Sequence, residues 1–302
     1  MPKFRIIAFD GGGIKGSLST ALLKRLCNAY PNLIKDTDLF TGASTGAIIA
    51  IALAYGININ TIDNMYSFNN IKRIFTPKRL NLFKPKFSNK HLAEAFNSII
   101  PNNSTIKDLK KYIFIPSFNV KGINKRHWQG IFFNNLCKNH YLDEKLINIA
   151  LASSAAPTYF PSHNDFIDGG IITNSPGIAS VIGVMKELPN KYKLEDFRVL
   201  SIGTGVTPKR IIGNTKNWGL LQWAFNPFST VKLPLTSVLL NDTASLEHLL
   251  ISVLLEKNYF RINPTLFKDI EIDDYKKVPH LKEMANSYDL KETEKYIENY
   301  YL

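Results

Sequence analysis

Ser44 stands in Gly42-Ala43-Ser44-Thr45-Gly46, which fits the G-x-S-x-G turn that presents a nucleophile between a strand and a helix. At such a turn the hydroxyl lies at a helix N-terminus, where free backbone N–H groups and the helix dipole stabilise developing negative charge. The competing reading is an ordinary helix N-cap serine. Asp10-Gly11-Gly12-Gly13-Ile14-Lys15-Gly16 offers a second set of donors, because successive glycines let the backbone approach an oxyanion closely. It is not a P-loop, since its lysine precedes the last glycine instead of following it. Asp168-Gly169-Gly170 supplies a carboxylate that can accept the serine proton, or else a hairpin turn, for which Asp-Gly is the strongest short signal. An ordinary Ser-His-Asp hydrolase would place a histidine after its acid. His248 falls in a helical pattern and His163 in a loop near Asp168, and both read as structural or surface residues. No His, Cys or acidic cluster has metal-ligand spacing, so neither a metal nor another cofactor is expected.

The elements that must hold these residues can be read from hydrophobic patterning. Phe4 to Phe9 is a short apolar run that predicts a buried parallel strand, and Leu18, Leu22, Leu23 and Leu26 recur at helical spacing behind the glycine loop. The order repeats at Leu39 to Ser44, with a helix over Gly46 to Tyr55. Further strands are predicted at Tyr112 to Val120, Gly130 to Phe133, Asp165 to Ile167, Phe197 to Ile202 and Tyr259 to Ile262. Helices are predicted at Asp143 to Ser153 and, as the longest, Leu233 to Glu256. Strands alternating with helices imply a layered α/β fold. No linker or repeat marks a boundary, which favours one domain over 1–302, with an insertion at about 64–93 and a mainly helical part from about 208.

The order of Asp-Gly-Gly-Gly-x-Lys-Gly, Gly-x-Ser-x-Gly and Asp-Gly-Gly resembles the patatin-like phospholipase family. Ala152 to Pro161, Asn174-Ser175-Pro176, Leu200 to Gly205 and Tyr259-Phe260-Arg261-Ile262 agree with it. The resemblance implies a three-layer α/β/α fold with a mainly parallel sheet and a Ser-Asp dyad in place of a triad. Ser44 would be the nucleophile and Asp168 the general base. Gly11, Gly12, Gly13 and the Thr45 N–H would form the oxyanion hole, and Lys15 would be structural. The implied activity is cleavage of acyl esters of membrane lipids, of phospholipase A or lysophospholipase type. The rival readings are a Ser-His-Asp carboxylesterase and a non-catalytic protein that binds nucleic acid or another anionic surface.

Charge bears on the partner. The 302-residue chain has a net charge of +12, unevenly spread. From Asn64 to Ala93 there is no acidic residue, while Lys72, Arg73, Lys78, Arg79, Lys84, Lys86 and Lys90 are interleaved with Phe68, Phe75, Phe83 and Phe87. Cations with aromatic residues suit an anionic membrane surface, so Lys72, Arg73, Lys78, Arg79, Phe75 and Phe83 are expected to meet lipid; nucleic acid is not expected. Two cysteines, no signal-like h-region and no apolar run of spanning length predict a cytoplasmic protein that associates peripherally with membranes.

Overall fold

The computed structural model describes residues 3–77, 83–122, 127–139, 141–207, 211–212, 214–231, 234–241 and 243–302. The first apolar run forms β1 (Phe4–Phe9), whose alternation divides the core: Phe4, Ile6 and Ala8 pack on one face, Ile7 and Phe9 on the other. Burial on both faces requires helices on both sides of the strand. In chain order there follow α1 (Gly16–Ala29), α2 (Leu33–Asp36), β2 (Leu39–Gly42), α3 (Thr45–Tyr55), α4 (Ile59–Met65), α5 (Phe68–Ile74) and α6 (Lys90–Asn97). Next come β3 (Tyr112–Asn119), β4 (Gln129–Asn134), α7 (Leu146–Ser153), β5 (Phe166–Asp168), α8 (Gly177–Glu187) and β6 (Phe197–Ile202). The last part holds α9 (Leu220–Ala224), α10 (Pro234–Asn241), α11 (Thr243–Leu255), β7 (Tyr259–Ile262), α12 (Val278–Ser287) and α13 (Lys291–Tyr296).

The strands form one sheet in the order β4-β3-β2-β1-β6-β7, with β5 paired to β3. The β3–β2–β1–β6–β7 pairings are parallel, whereas β4 and β5 run antiparallel to β3. Residues of α1, α3, α7 and α12 build the larger core on one face, and Val181, Val184, Ile251 and Leu255 of α8 and α11 build the smaller core on the other. This is the expected three-layer α/β/α arrangement. The part after 208 is mainly helical among the described residues, and β7 returns to the sheet beside β6.

Two local expectations change. The single long helix expected over Leu233 to Glu256 is two helices, α10 and α11, on either side of residue 242, which lies outside the described residues. Asp168 is the last residue of β5 rather than the corner of a hairpin. Its Oδ1 accepts the Gly170 N–H at 2.7 Å, and that bond turns the chain into a short 3₁₀ turn over Gly169–Ile171.

Candidate active site

Strand register brings Ser44 and Asp168 together. Thr41 of β2 pairs with Phe114 of β3, while three residues further along β3 Ser117 pairs with Asp168. Strand β4 occupies the opposite edge of β3 over the same residues, so β5 continues the edge that β2 leaves. Asp168 therefore stands level with the position three residues beyond Thr41, which is where the chain, having turned, places Ser44. The Ser44 hydroxyl is close enough to favour the charged form of the Asp168 carboxyl.

Ser44 has φ 54° and ψ −121°, a conformation that ordinary residues adopt only at a cost of about 1–3 kcal/mol and that recurs at functional turns. The turn is tight enough that a Cβ on Gly46 would lie 2.5 Å from the Phe9 carbonyl oxygen, which accounts for the final glycine of the motif. Two serines at the end of α7 clamp the turn. The Ser44 N–H donates to Ser153 Oγ at 3.2 Å, and Ser154 Oγ donates to the Ser44 carbonyl at 3.1 Å. Tyr66, fully buried, hydrogen-bonds the Thr45 hydroxyl at 2.6 Å and donates to the Thr45 carbonyl at 3.0 Å.

The glycine loop lies across the carboxyl end of β1. The Gly11 N–H is taken by the Asn174 carbonyl at 3.0 Å, and the Gly11 carbonyl accepts from Thr204 Oγ1 at 2.9 Å. Gly13 turns at φ 59°, followed by an Ile14 N–H bond to the Ile272 carbonyl at 2.9 Å. Among the described residues the N–H groups of Gly12, Gly13 and Thr45 have no protein acceptor. Of the four expected oxyanion donors, Gly11 is thus committed to anchoring the loop, and three remain available.

Beneath the loop, Arg261 of β7 grips Asp10 with both terminal nitrogens, at 3.0 and 2.5 Å, and donates to Ser201 Oγ at 2.7 Å. Both partners are buried. Burial opposes the Arg261 charge, and the Asp10 carboxylate more than restores it. Glu247 of α11 accepts the Ser175 N–H at 2.7 Å, and burial raises its carboxyl to about 7 against the pull of that hydrogen bond.

Burial also pushes the Asp168 carboxyl up to about 6, against hydrogen bonds from the Ser44 hydroxyl and the Gly170 N–H that favour its charged form. A carboxylate in this range suits proton abstraction near neutral pH. The two candidate histidines are occupied elsewhere. His248 hydrogen-bonds the Tyr259 hydroxyl at 3.0 Å and His163 the Asn148 side chain at 2.9 Å.

Comparison with known proteins decides the family. The family model described as patatin-like phospholipase matches residues 7–179, a span that holds the glycine loop, Ser44 and Asp168. The chain belongs to the patatin-like phospholipase family. It is 30% identical to Protein teg of Priestia megaterium over 99% of both chains. To the putative sporulation hydrolase CotR of Bacillus subtilis it is 29% identical, over 99% of this chain and 98% of that one. It is also 29% identical to a cGAMP-activated phospholipase of Escherichia coli, over 72% of this chain and 70% of that one.

In this patatin-like chain a narrow apolar cleft opens at Ser44, lined by Ile48, Met65, Ile71, Ile74, Phe75 and Phe160 among others. Much of its wall comes from the 64–93 segment, and one residue of that segment is placed differently from expectation. Phe75, expected to meet lipid from outside, is 6% exposed and packs edge-on against Phe87 at 5.1 Å, because Ile71, Ile74 and Phe75 share the inward face of α5. Its charge is partly compensated: Arg73 pairs with Glu94 at 2.6 Å, and Lys86 pairs with Asp273. Lys72 is exposed and Phe83 is 97% exposed, while Lys78 and Arg79 lie outside the described residues. Lys15 is buried and borders a second, wider cavity on the other side of the glycine loop. Ser153, Ser154, Tyr66, Asn174, Thr204, Arg261 and Glu247 were given no role from sequence. Ser153, Ser154, Asn174, Thr204 and Arg261 lie in the four stretches that agree with the family pattern, whereas Tyr66 and Glu247 carry no such signal. No described helix is long and apolar enough to cross a membrane.

Proposed function

We propose that the chain is a lipid acyl hydrolase of the phospholipase A or lysophospholipase type working through a Ser44–Asp168 dyad. The observation that carries the reading is the pairing of a strained serine with a buried carboxylate beside three unengaged N–H groups. Asp168 takes the Ser44 proton as Oγ attacks the ester carbonyl, and the Gly12, Gly13 and Thr45 N–H groups receive the oxyanion. The tetrahedral intermediate collapses, Asp168 returns the proton to the departing alcohol, and the acyl group stays on Ser44. Asp168 then deprotonates water, whose attack releases the fatty acid and regenerates the serine. The apolar cleft favours an acyl chain as the group retained. Exposed Lys72 and Phe83 are consistent with contact between the rim of the basic segment and anionic headgroups.

Lipid mass spectrometry tests this on mixed phospholipid vesicles. Wild type is expected to release fatty acid and lysolipid, and Ser44→Ala to release neither. Because the base must be ionised and burial holds its pKa at about 6, turnover should fall roughly tenfold per pH unit below that value and level off above it. Release by Ser44→Ala, or a rate that rises on acidification, would sink the proposal.

A further inference from the structure

Among the described residues most of the exposed large hydrophobic side chains fall between Ile212 and Leu254, away from the basic segment. Helix α11 shows why this is not ordinary surface. Ile251 and Leu255 pack into the core beneath the sheet, yet Leu246, Leu249, Leu250, Val253 and Leu254 form a second stripe at i, i+3, i+4, i+7 and i+8 that faces water. In α9 and the turn after it, Leu220 is 84% and Phe228 98% exposed, with Leu221 and Phe225 also exposed. Helix α10 packs against both α9 and α11 and joins the two patches. A contiguous apolar area of this kind marks an interaction site.

The chemistry around it selects the partner. From Val206 to Asn241 the sequence has Lys209, Arg210, Lys216 and Lys232 and no acidic residue, and of the four cations Lys216 lies among the described residues. Trp218 and Trp223 meet edge to face at 5.3 Å. Apolar, tryptophan-bearing composition with cations and no acid from Val206 to Asn241 is that of a surface lying in the interface of an anionic bilayer, and α11 adds apolar side chains with its Glu247 turned to the Ser175 N–H. A second copy of a +12 chain would instead bring like charges together. Position agrees. The inner side of the same segment, through Val231, Pro234, Val238 and Ala244, walls a cavity of about 870 Å³ whose opposite wall is Asp10, Gly11, Lys15 and Asn174.

We propose that α9, the turn to Phe228 and the outer stripe of α11 form a docking surface that enters an anionic bilayer and opens a route for lipid into the cavity beside the glycine loop. This inference rests on the lipid hydrolase reading, and binding can be measured without turnover. The protein for the experiment carries Ser44→Ala to stop hydrolysis and Trp128→Phe so that fluorescence reports Trp218 and Trp223. Phosphatidylcholine vesicles containing phosphatidylglycerol should shift the emission to the blue, and brominated acyl chains should quench it. In the same background, Leu221→Asp/Phe228→Asp and, separately, Leu249→Asp/Val253→Asp should weaken vesicle sedimentation at least tenfold. With Ser44 restored, both pairs should hydrolyse a short soluble ester as wild type does. An unmoved spectrum, or vesicle binding that survives both pairs, overturns the proposal. So does a dimer at micromolar concentration that either pair dissociates, since the face would then be a self-interface. Wild type that docks but releases no fatty acid would count against the hydrolase reading alone.

Discussion

Ser44→Ala and Asp168→Asn are each expected to lower ester hydrolysis by about 10⁴-fold or more, and the double variant to be no slower than the worse single one beyond a few-fold. The two side chains act as one unit: without the carboxylate the hydroxyl is a poor nucleophile, and without the hydroxyl the carboxylate has no proton to take. His248→Ala should leave the rate within a few-fold of wild type, because that histidine is turned to Tyr259. Kinetics on a soluble ester decide this without reference to membrane binding. A double variant much slower than either single one, or a His248→Ala loss as large as that of Asp168→Asn, would break the dyad.

The same substitution has an opposite effect on stability. Burial raises the folded-state pKa of Asp168 to about 6 from an ordinary 3.8, so the folded protein holds this proton more tightly than the unfolded chain. Stability therefore declines as pH rises between those values, and the deficit is complete above about pH 6. Asparagine keeps an acceptor for the Gly170 N–H and removes the buried charge. Asp168→Asn should gain up to about 3 kcal/mol at pH 8 and nothing at pH 3.5. Urea denaturation at the two pH values measures the difference.

Breaking the Asp10–Arg261 pair carries the second large effect. Arg261→Met leaves Asp10 buried and uncompensated at the root of the glycine loop, which should cost about 3–5 kcal/mol of unfolding free energy. Arg261→Lys should recover only part of it, since an ammonium cannot engage both carboxylate oxygens as the guanidinium does. The Asp10→Asn/Arg261→Met double variant should be more stable than Arg261→Met alone, because no lone charge stays behind. Chemical denaturation of wild type, Asp10→Asn, Arg261→Met and the double variant forms the cycle. A near-neutral Arg261→Met would show that the pair does not hold the loop.

Elements buried on both faces were the most legible in the sequence. β1 and β6 begin and end where their apolar runs do, since nothing but sheet can bury such runs between two helical layers. The nucleophile turn was legible because its small residues form a five-residue motif, although the contact that requires Gly46 comes from Phe9 at the end of β1. Asp168 was harder to place: its dipeptide favours a hairpin, and only a three-residue strand paired to β3 fixes its true position. Arg261 was marked by family pattern alone, because its partner Asp10 lies at the other end of the chain. Phe75 was misplaced for a different reason. Charge and aromatic content describe composition, whereas the spacing of Ile71, Ile74 and Phe75 describes direction, and direction put them in the cleft. The exposed stripe of α11 was equally hidden, since a helix apolar on two sides reads from sequence as simply buried.

Covalent trapping tests the central claim most directly. A fluorophosphonate reacts only with a serine whose hydroxyl is activated, and peptide mass spectrometry locates the adduct. One adduct per chain is expected, on the peptide that holds Ser44, forming far more slowly in Asp168→Asn and absent in Ser44→Ala. An unlabelled Ser44 in protein that still hydrolyses esters, or labelling of Asp168→Asn at the wild-type rate, would contradict the account.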